Sequence, residues 1–252
     1  MKMYGLIGYP LQHSFSSKFF NEKFKEENID AEYLNFEIEH IFDLRRILVF
    51  NPHLKGLNVT IPYKEAVITF LDDISPVAKE IGAVNVIKIE RTFIDTYGYK
   101  LIGYNTDYIG FKKSIQPLII PNLHNRALVL GTGGASKAVC KALESLDISW
   151  TYVSRTPKEG ILTYDTLTPE VLSDNKIIIN TTPLGTFPNV DDCPNIPYSA
   201  LTTQHLLYDL VYNPSVTTFL KRGQQMGSTI KNGAEMLELQ ALAAWEIWAK
   251  SR

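Results

Sequence analysis

The stretch Arg126-Ala-Leu-Val-Leu-Gly131-Thr132-Gly133-Gly134-Ala135-Ser136 constrains this chain more than any other. Its apolar run reads as a buried strand, and the glycines that follow suit a backbone that must turn sharply. Helical residues Lys137–Leu146 come directly after. A strand, a glycine loop and a helix start, in that order, form an anion site: the loop lets the backbone approach a pyrophosphate, and the helix start offers N–H groups and a positive dipole. The reading is a dinucleotide-binding turn in which Gly131, Thr132, Gly133, Gly134 and Ala135 meet the cofactor. Ser136 stands at the third glycine position, one small residue for another. An ordinary glycine-rich βα turn is the bland alternative.

The end of the next strand chooses the cofactor. It reads Tyr152-Val153-Ser154-Arg155-Thr156. An NAD site places a carboxylate here to hold the ribose 2′-hydroxyl, and that carboxylate would repel a 2′-phosphate. A guanidinium instead binds phosphate through two parallel hydrogen bonds. Ser154, Arg155 and Thr156 therefore point to NADP, with a solvated surface arginine as the alternative.

Short apolar runs alternate with helical patterns along the whole chain, which predicts an α/β fold. In the first part, Tyr4–Gly8, Glu32–Ile38, Leu57–Thr60 and Ala83–Ile89 read as strands, and Ser17–Glu27, Ile41–Phe50 and Lys64–Leu71 as helices. Arg91–Tyr104 resembles a hairpin, with Asp95 and Gly98 as turn candidates. A second series follows: Ala127–Leu130, Trp150–Ser154, Ile177–Asn180, Leu206–Leu210 and Thr229–Lys231. Ala234–Lys250 reads as a long amphipathic helix. Two α/β domains are expected: residues 1–106, joined by a returning helix over 234–252, and residues 107–233, with the border near Asn105–Tyr108.

The 252 residues suffice for such a core, and the net charge of -2 with scattered lysine and arginine argues against nucleic acid or an anionic membrane as partner. Cys140 and Cys193 have no CxxC spacing and no histidine cluster, so neither a disulfide framework nor a metal site is expected. Met1–Pro10 reads as a strand entering a turn rather than a signal peptide, and no apolar run approaches the length of a membrane span. A cytoplasmic protein, monomeric or homodimeric and acting on a small molecule, is the expectation.

Several segments together resemble the shikimate dehydrogenase family: His13-Ser14-Phe15-Ser16, Asn58-Val59-Thr60-Ile61-Pro62-Tyr63-Lys64, Gly82-Ala83-Val84-Asn85, Asn105-Thr106-Asp107, Gly131–Ser136 and Gln240. Their order and spacing span essentially the whole chain. The resemblance implies an N-terminal substrate domain, a C-terminal Rossmann-like NADP-binding domain and a cleft between them, with reversible NADPH-dependent reduction of 3-dehydroshikimate to shikimate, a step towards the aromatic amino acids. It implies that Ser14, Ser16, Thr60, Asn85 and Gln240 hold the substrate's hydroxyls and carboxylate, that Lys64 and Asp107 flank the reacting hydroxyl, and that Tyr212 lies near the substrate. It also implies that Thr181, Leu210 and Gly233 line the cofactor's path.

These residue types suit the chemistry. A small ring with three hydroxyls and a carboxylate needs many neutral hydrogen-bond partners, and an unpaired one costs about 1–3 kcal/mol in a buried site. Taken singly, Ser14 and Ser16 could cap a helix, Thr60 could be an ordinary strand residue and Asn85 could satisfy a turn. Lys64 follows Pro62 and is expected in the first turn of a helix, where a cation meets the positive dipole end; an unfavourable placement invites a functional explanation. Asn105, Thr106 or Asp107 could equally cap the helical Tyr108–Ile115.

The family's usual asparagine-arginine-threonine run continues to a second arginine. Here Glu159 takes that arginine's place beside Lys158, in Ser154-Arg-Thr-Pro-Lys-Glu159. Lys158 is assigned a point charge towards the phosphate if its loop turns inward, with Glu159 facing solvent. Two rivals remain: an NAD-using quinate/shikimate dehydrogenase, and a non-catalytic dinucleotide-binding regulator.

Overall fold

Long-range contacts divide the chain into two compact units, one made of residues 1–106 and 241–252, the other of residues 107–240. The computed structural model describes residues 1–11, 15–91 and 98–250. Ser14 and His13 lie outside the described residues, as does Asp95 of the expected hairpin turn.

The first unit contains β1 (Lys2–Gly8), α1 (Phe15–Glu26), β2 (Ala31–Glu37), α2 (Leu44–Phe50), β3 (Leu54–Val59), β4 (Asp73–Ile74), α3 (Pro76–Ile81), β5 (Val86–Arg91) and β6 (Tyr99–Tyr104). They build one mixed sheet in the order β2-β1-β3-β5-β6-β4, parallel from β2 to β3 and antiparallel across β3-β5-β6. One side carries Ile7, Leu57, Val59, Ile87 and Ile89 against Leu44, Ile47 and Leu48 of α2. The other carries Tyr4, Leu6 and Val86 against Phe20 and Phe24 of α1 and Trp248 of the last helix. Trp248 Nε1 donates to the Ile87 carbonyl at 3.0 Å. Gly56 leaves the room for that indole, because a Cβ there would stand 2.2 Å from Nε1.

The second unit contains α4 (Asp107–Ile115), β7 (Arg126–Leu130), α5 (Gly134–Glu144), β8 (Ser149–Ser154), β9 (Leu162–Thr163), α6 (Pro169–Asp174), β10 (Ile177–Asn180), β11 (Leu206–Asp209), α7 (Thr218–Gln225), β12 (Thr229–Lys231) and the first part of α8 (Ala234–Ala249). Its six strands are all parallel, in the order β12-β11-β10-β7-β8-β9. Alternate residues face opposite sides. Ala127, Val129, Ile177, Ile179, Leu206 and Tyr208 pack with α4, α5 and Met236, whereas Leu128, Leu130, Ile178 and Leu207 pack with α6 and α7. Burial on both faces explains why these strands read as unbroken apolar runs. The order reverses between β7 and β10, so this is a Rossmann-like sheet whose switch point lies at the C-terminal ends of those two strands.

Several expected elements shift. Lys64–Leu71 is not an α-helix: Ala66–Phe70 forms a 3-10 helix, and Lys64 lies in the turn before it. Ile41–Phe50 is a 3-10 turn followed by α2. The strand expected from Ala83 begins at Val86. The helix after the glycine loop begins at Gly134 rather than Lys137. Three short helices, α3, α6 and α7, and two short strands, β4 and β9, join the expected set.

Candidate functional site

At the switch point of the parallel sheet lies a cavity of about 430 Å³ lined by Gly131, Thr132, Gly133, Val153, Ser154, Arg155, Thr156, Tyr164 and the loop Thr181–Leu184. Ligands of open α/β sheets bind at this place because the loops after neighbouring strands part there. Gly131 adopts φ +100°, a left-handed conformation that glycine reaches without strain, and a Cβ on it would stand 2.9 Å from Thr182. A Cβ on Gly133 would meet nothing within 4 Å, so its backbone is open to an approaching group. Gly134 and Ala135 open α5, whose first amides have no partner within the helix. Ser136 explains how the third glycine can be replaced. It is fully buried, and its hydroxyl turns back to donate to the Gly133 carbonyl at 2.7 Å, beside the Tyr152 hydroxyl of β8.

Arg155 stands just past β8, exposed at the cavity's rim. Among the described residues its guanidinium has no hydrogen bond or ion pair. The Ser154 hydroxyl accepts the Thr156 amide at 3.2 Å and fixes the turn that presents Arg155. Lys158 and Glu159 are both exposed on a tight turn beyond the cavity wall, where Gly160 has φ +73° and Lys158 bridges to Ile161. These groups fit a 2′-phosphorylated dinucleotide: an uncommitted cation, a glycine cradle and a helix start.

The loops after β10 and β11 rest on a buried polar network that the sequence reading did not single out. Asn180, fully buried, donates to Asp209 Oδ1 at 2.9 Å and accepts both the amide and the hydroxyl of Thr182, at 3.1 and 2.6 Å. Asp209 also accepts the Val211 amide at 3.0 Å and the Thr217 hydroxyl at 2.6 Å. Burial pushes its carboxyl up to about 6, against the lowering effect of these three donors. The signal was present as a polar residue ending each apolar run, Ile177-Ile-Ile-Asn180 and Leu206-Leu-Tyr-Asp209. Thr181 donates to the Leu130 carbonyl at 2.7 Å and so joins the ends of β7 and β10. Gly233 packs against the Leu210 carbonyl so closely that a Cβ would stand 2.1 Å from its oxygen.

In the first unit, Ser16 lies inside the first turn of α1; burial raises the Tyr33 phenol well above its ordinary value, and the nearby Ser16 hydroxyl offsets part of that rise. Tyr33 in turn donates to Asn58 Oδ1 at 2.7 Å. Thr60 follows β3, with its amide bonded to the Ile7 carbonyl. Asn85 is buried, and its side chain both accepts the Thr106 amide at 2.7 Å and donates to the Thr106 hydroxyl at 3.1 Å. Asn105 donates to the Ala83 carbonyl at 3.0 Å. Lys64 is half-buried, and its carbonyl accepts the Val84 amide at 2.8 Å. In the second unit, Asp107 is the buried first residue of α4, where a negative charge suits the helix dipole. Gln240 is buried in α8, and its amide nitrogen donates to the Leu237 carbonyl at 2.9 Å. Tyr212 is exposed on the loop after β11. Among the described residues no cluster of histidine, cysteine and carboxylate side chains could hold a metal ion, and no helix is long and apolar enough to cross a membrane.

Comparison with known proteins agrees with this arrangement. A family model described as the shikimate dehydrogenase substrate binding domain matches residues 6–87. The curated NADP(+) shikimate dehydrogenase of Clostridium beijerinckii is 42% identical over 260 residues, covering 98% of this chain and 92% of that protein. Among solved structures, the shikimate dehydrogenase of Aquifex aeolicus aligns with a TM-score of 0.83 at 34% identity, over 98% of this chain and 92% of that one. The Thermus thermophilus enzyme, solved in complex with NADP(H) and shikimate, aligns with a TM-score of 0.83 at 28% identity, over 98% and 93%. With this identity sustained across nearly the whole length of both proteins, the chain belongs to the shikimate dehydrogenase family.

Proposed function

We propose that this chain is an oxidoreductase that reduces 3-dehydroshikimate to shikimate reversibly with NADPH, in the cytoplasmic route to the aromatic amino acids, as a monomer or homodimer. The observation that carries the reading is the Arg155 guanidinium, with no hydrogen bond or ion pair among the described residues, at the rim of the switch-point cavity, where an NAD site would place a carboxylate. NADPH, when bound, supplies the hydride. The Lys64 ammonium stabilises the negative charge that develops on the substrate's carbonyl oxygen and then donates the proton to it. The Asp107 carboxylate is the balancing charge at the same hydroxyl. Thr60, Asn85, Gln240, Ser16 and Ser14 supply neutral hydrogen-bond partners for the ring's hydroxyls and carboxylate, and Tyr212 adds a phenol. Thr181, Leu210 and Gly233 shape the cofactor's path, and Asn180 with Asp209 hold the loops that carry them.

The test is a matrix of initial rates: shikimate and quinate, each with NADP and with NAD. Turnover of shikimate with NADP, well above the other three combinations, is expected. Faster turnover with NAD would favour the quinate/shikimate reading, and no turnover in any combination would favour a non-catalytic binder.

A further inference from the structure

The connection from β8 to β9 is unusual in a way that bears on the cofactor. Parallel neighbours ordinarily need a crossover of a dozen or more residues, commonly a helix. Here Val153-Ser154 pairs in parallel with Leu162-Thr163, and residues 155–161 join them with no helix between. The tight turn at Lys158–Ile161 doubles the chain back. Two consequences follow. Lys158 and Glu159 sit on the outside of that turn, exposed, and neither lines the cavity. Tyr164, immediately after β9, is brought to the cavity wall beside Arg155 and Thr156.

Tyr164 is anchored for this position. Its ring packs against the core on the α6 and α7 side of the sheet. The following 3-10 turn is fixed by a capping box, in which the Thr163 amide donates to the Thr166 hydroxyl at 3.1 Å. Among the described residues the Tyr164 hydroxyl has no hydrogen-bond partner. Burial raises the phenol above its ordinary range, and the nearby Arg155 guanidinium offsets part of that rise. The pair therefore offers a guanidinium and an uncommitted hydroxyl donor at one end of a nucleotide-sized cavity.

We propose that Tyr164 is a specificity-determining cofactor residue, whose hydroxyl donates to the 2′-phosphate that Arg155 binds. The helix-less connection thus supplies a neutral donor where relatives place a second cation. This rests on the NADP reading above. A ribose 2′-hydroxyl offers no charged acceptor, so the contribution favours NADP over NAD.

Two variants, Tyr164→Phe and Arg155→Ala, distinguish the outcomes without relying on turnover. Binding of 2′,5′-ADP and of 5′-AMP is measured by calorimetry, and binding of NADPH and NADH by fluorescence titration. Phenylalanine keeps the packed ring, and a thermal melt confirms the fold. Tyr164→Phe is expected to weaken 2′,5′-ADP and NADPH roughly tenfold, the size of a hydrogen bond to a charged group, and to leave 5′-AMP and NADH within about twofold. Unchanged 2′,5′-ADP binding, or equal weakening of 2′,5′-ADP and 5′-AMP, overturns the role of Tyr164. If the wild-type protein itself binds 2′,5′-ADP no better than 5′-AMP, the NADP reading falls and this proposal falls with it. Preference that is undiminished in Tyr164→Phe but lost in Arg155→Ala overturns this proposal alone.

Discussion

Thr217 Oγ1 lies 2.6 Å from Asp209 Oδ2 and donates its proton to that buried carboxylate, while its lone pair accepts the Leu220 amide at 3.3 Å. One hydroxyl thus caps α7 and satisfies the carboxylate beneath the cofactor-side loops. The two duties can be separated by pH. Burial raises the Asp209 carboxyl to about 6, so its contribution to stability is fully present below the unfolded value of about 4 and is lost as pH rises through about 6. Above pH 6 the carboxylate is charged and depends on its donors.

Thr217→Val should therefore cost more at pH 8 than at pH 5. At both values it loses the cap, about 1 kcal/mol. At pH 8 it also loses a hydrogen bond to a charged group, about 1.5–3 kcal/mol, which at pH 5 is a weaker neutral one. Urea unfolding at the two pH values measures the difference, with Thr217→Ser as a near-neutral control. The same loss at both would show that Asp209 does not titrate in this range.

Lys64→Ala should abolish most turnover while NADPH affinity stays within about twofold, because Lys64 lies outside the unit that carries the nucleotide cavity. Asp107→Asn should also slow turnover strongly. Asparagine preserves the helix start but carries no charge, so melting temperature should move little. Steady-state rates, NADPH titration and a melt on each variant suffice. A Lys64 variant that keeps more than half its turnover, or an Asp107 loss explained by unfolding alone, would remove that residue from the mechanism.

The glycine loop was legible because its meaning is local: strand, turn and helix start are consecutive in sequence. The parallel strands were legible because burial on both faces leaves apolar runs such as Ile177-Ile-Ile. The short helices α3, α6 and α7 escaped because six to eight residues give too little periodicity, although Ser75-Pro76 and Thr168-Pro169 are good start signals. Lys64 misled for the opposite reason. Pro62 suggested an α-helix start, but the chain makes turns there and then a 3-10 helix, so the dipole argument for Lys64 does not apply. Thr217 and Tyr164 were invisible as site residues because what they do depends on pairing between distant segments, whereas Asp209 left a trace as the polar end of an apolar run. Tyr164 reaches Arg155 only through the parallel pairing of β8 with β9.

The fully buried His205 should make the second unit sensitive to acid. Its Nδ1 accepts the Thr202 amide at 3.0 Å and its Nε2 lies 3.0 Å from the Leu172 carbonyl, so the neutral ring with its proton on Nε2 satisfies both. Burial lowers its pKa. The neutral ring's stabilising contribution is therefore present above the unfolded value of about 6.5 and is lost as pH falls through the lower folded value. Melting temperatures from pH 8 to pH 5 should fall more for wild type than for His205→Gln, which starts lower but cannot titrate. Parallel curves would place the acid-sensitive group elsewhere.

In the proposed NADP site Arg155 is the group that reads the 2′-phosphate, and its loss should have a definite signature. The guanidinium is exposed and has no hydrogen bond or ion pair among the described residues, so removing it leaves no described group buried and unsatisfied, and stability should be nearly unchanged. Binding of a 2′-phosphate, which carries about -1.5 to -2 charges, should weaken by roughly ten- to hundredfold, the range for a hydrogen bond to a charged group. NAD has no such phosphate, so its Michaelis constant should stay within about twofold. Lys158 is exposed on its turn and outside the cavity lining, so any charge it offers the phosphate would be screened, and Lys158→Ala should change the NADP constant only a few-fold, and less in high salt. Michaelis constants for both cofactors, measured with wild type and with Arg155→Ala, decide the matter. Equal loss for NADP and NAD would mean that Arg155 shapes the pocket rather than reads the phosphate. Combining Arg155→Ala with Tyr164→Phe extends the measurement: two groups on one phosphate should be coupled, so the double variant should lose less than the two single losses together.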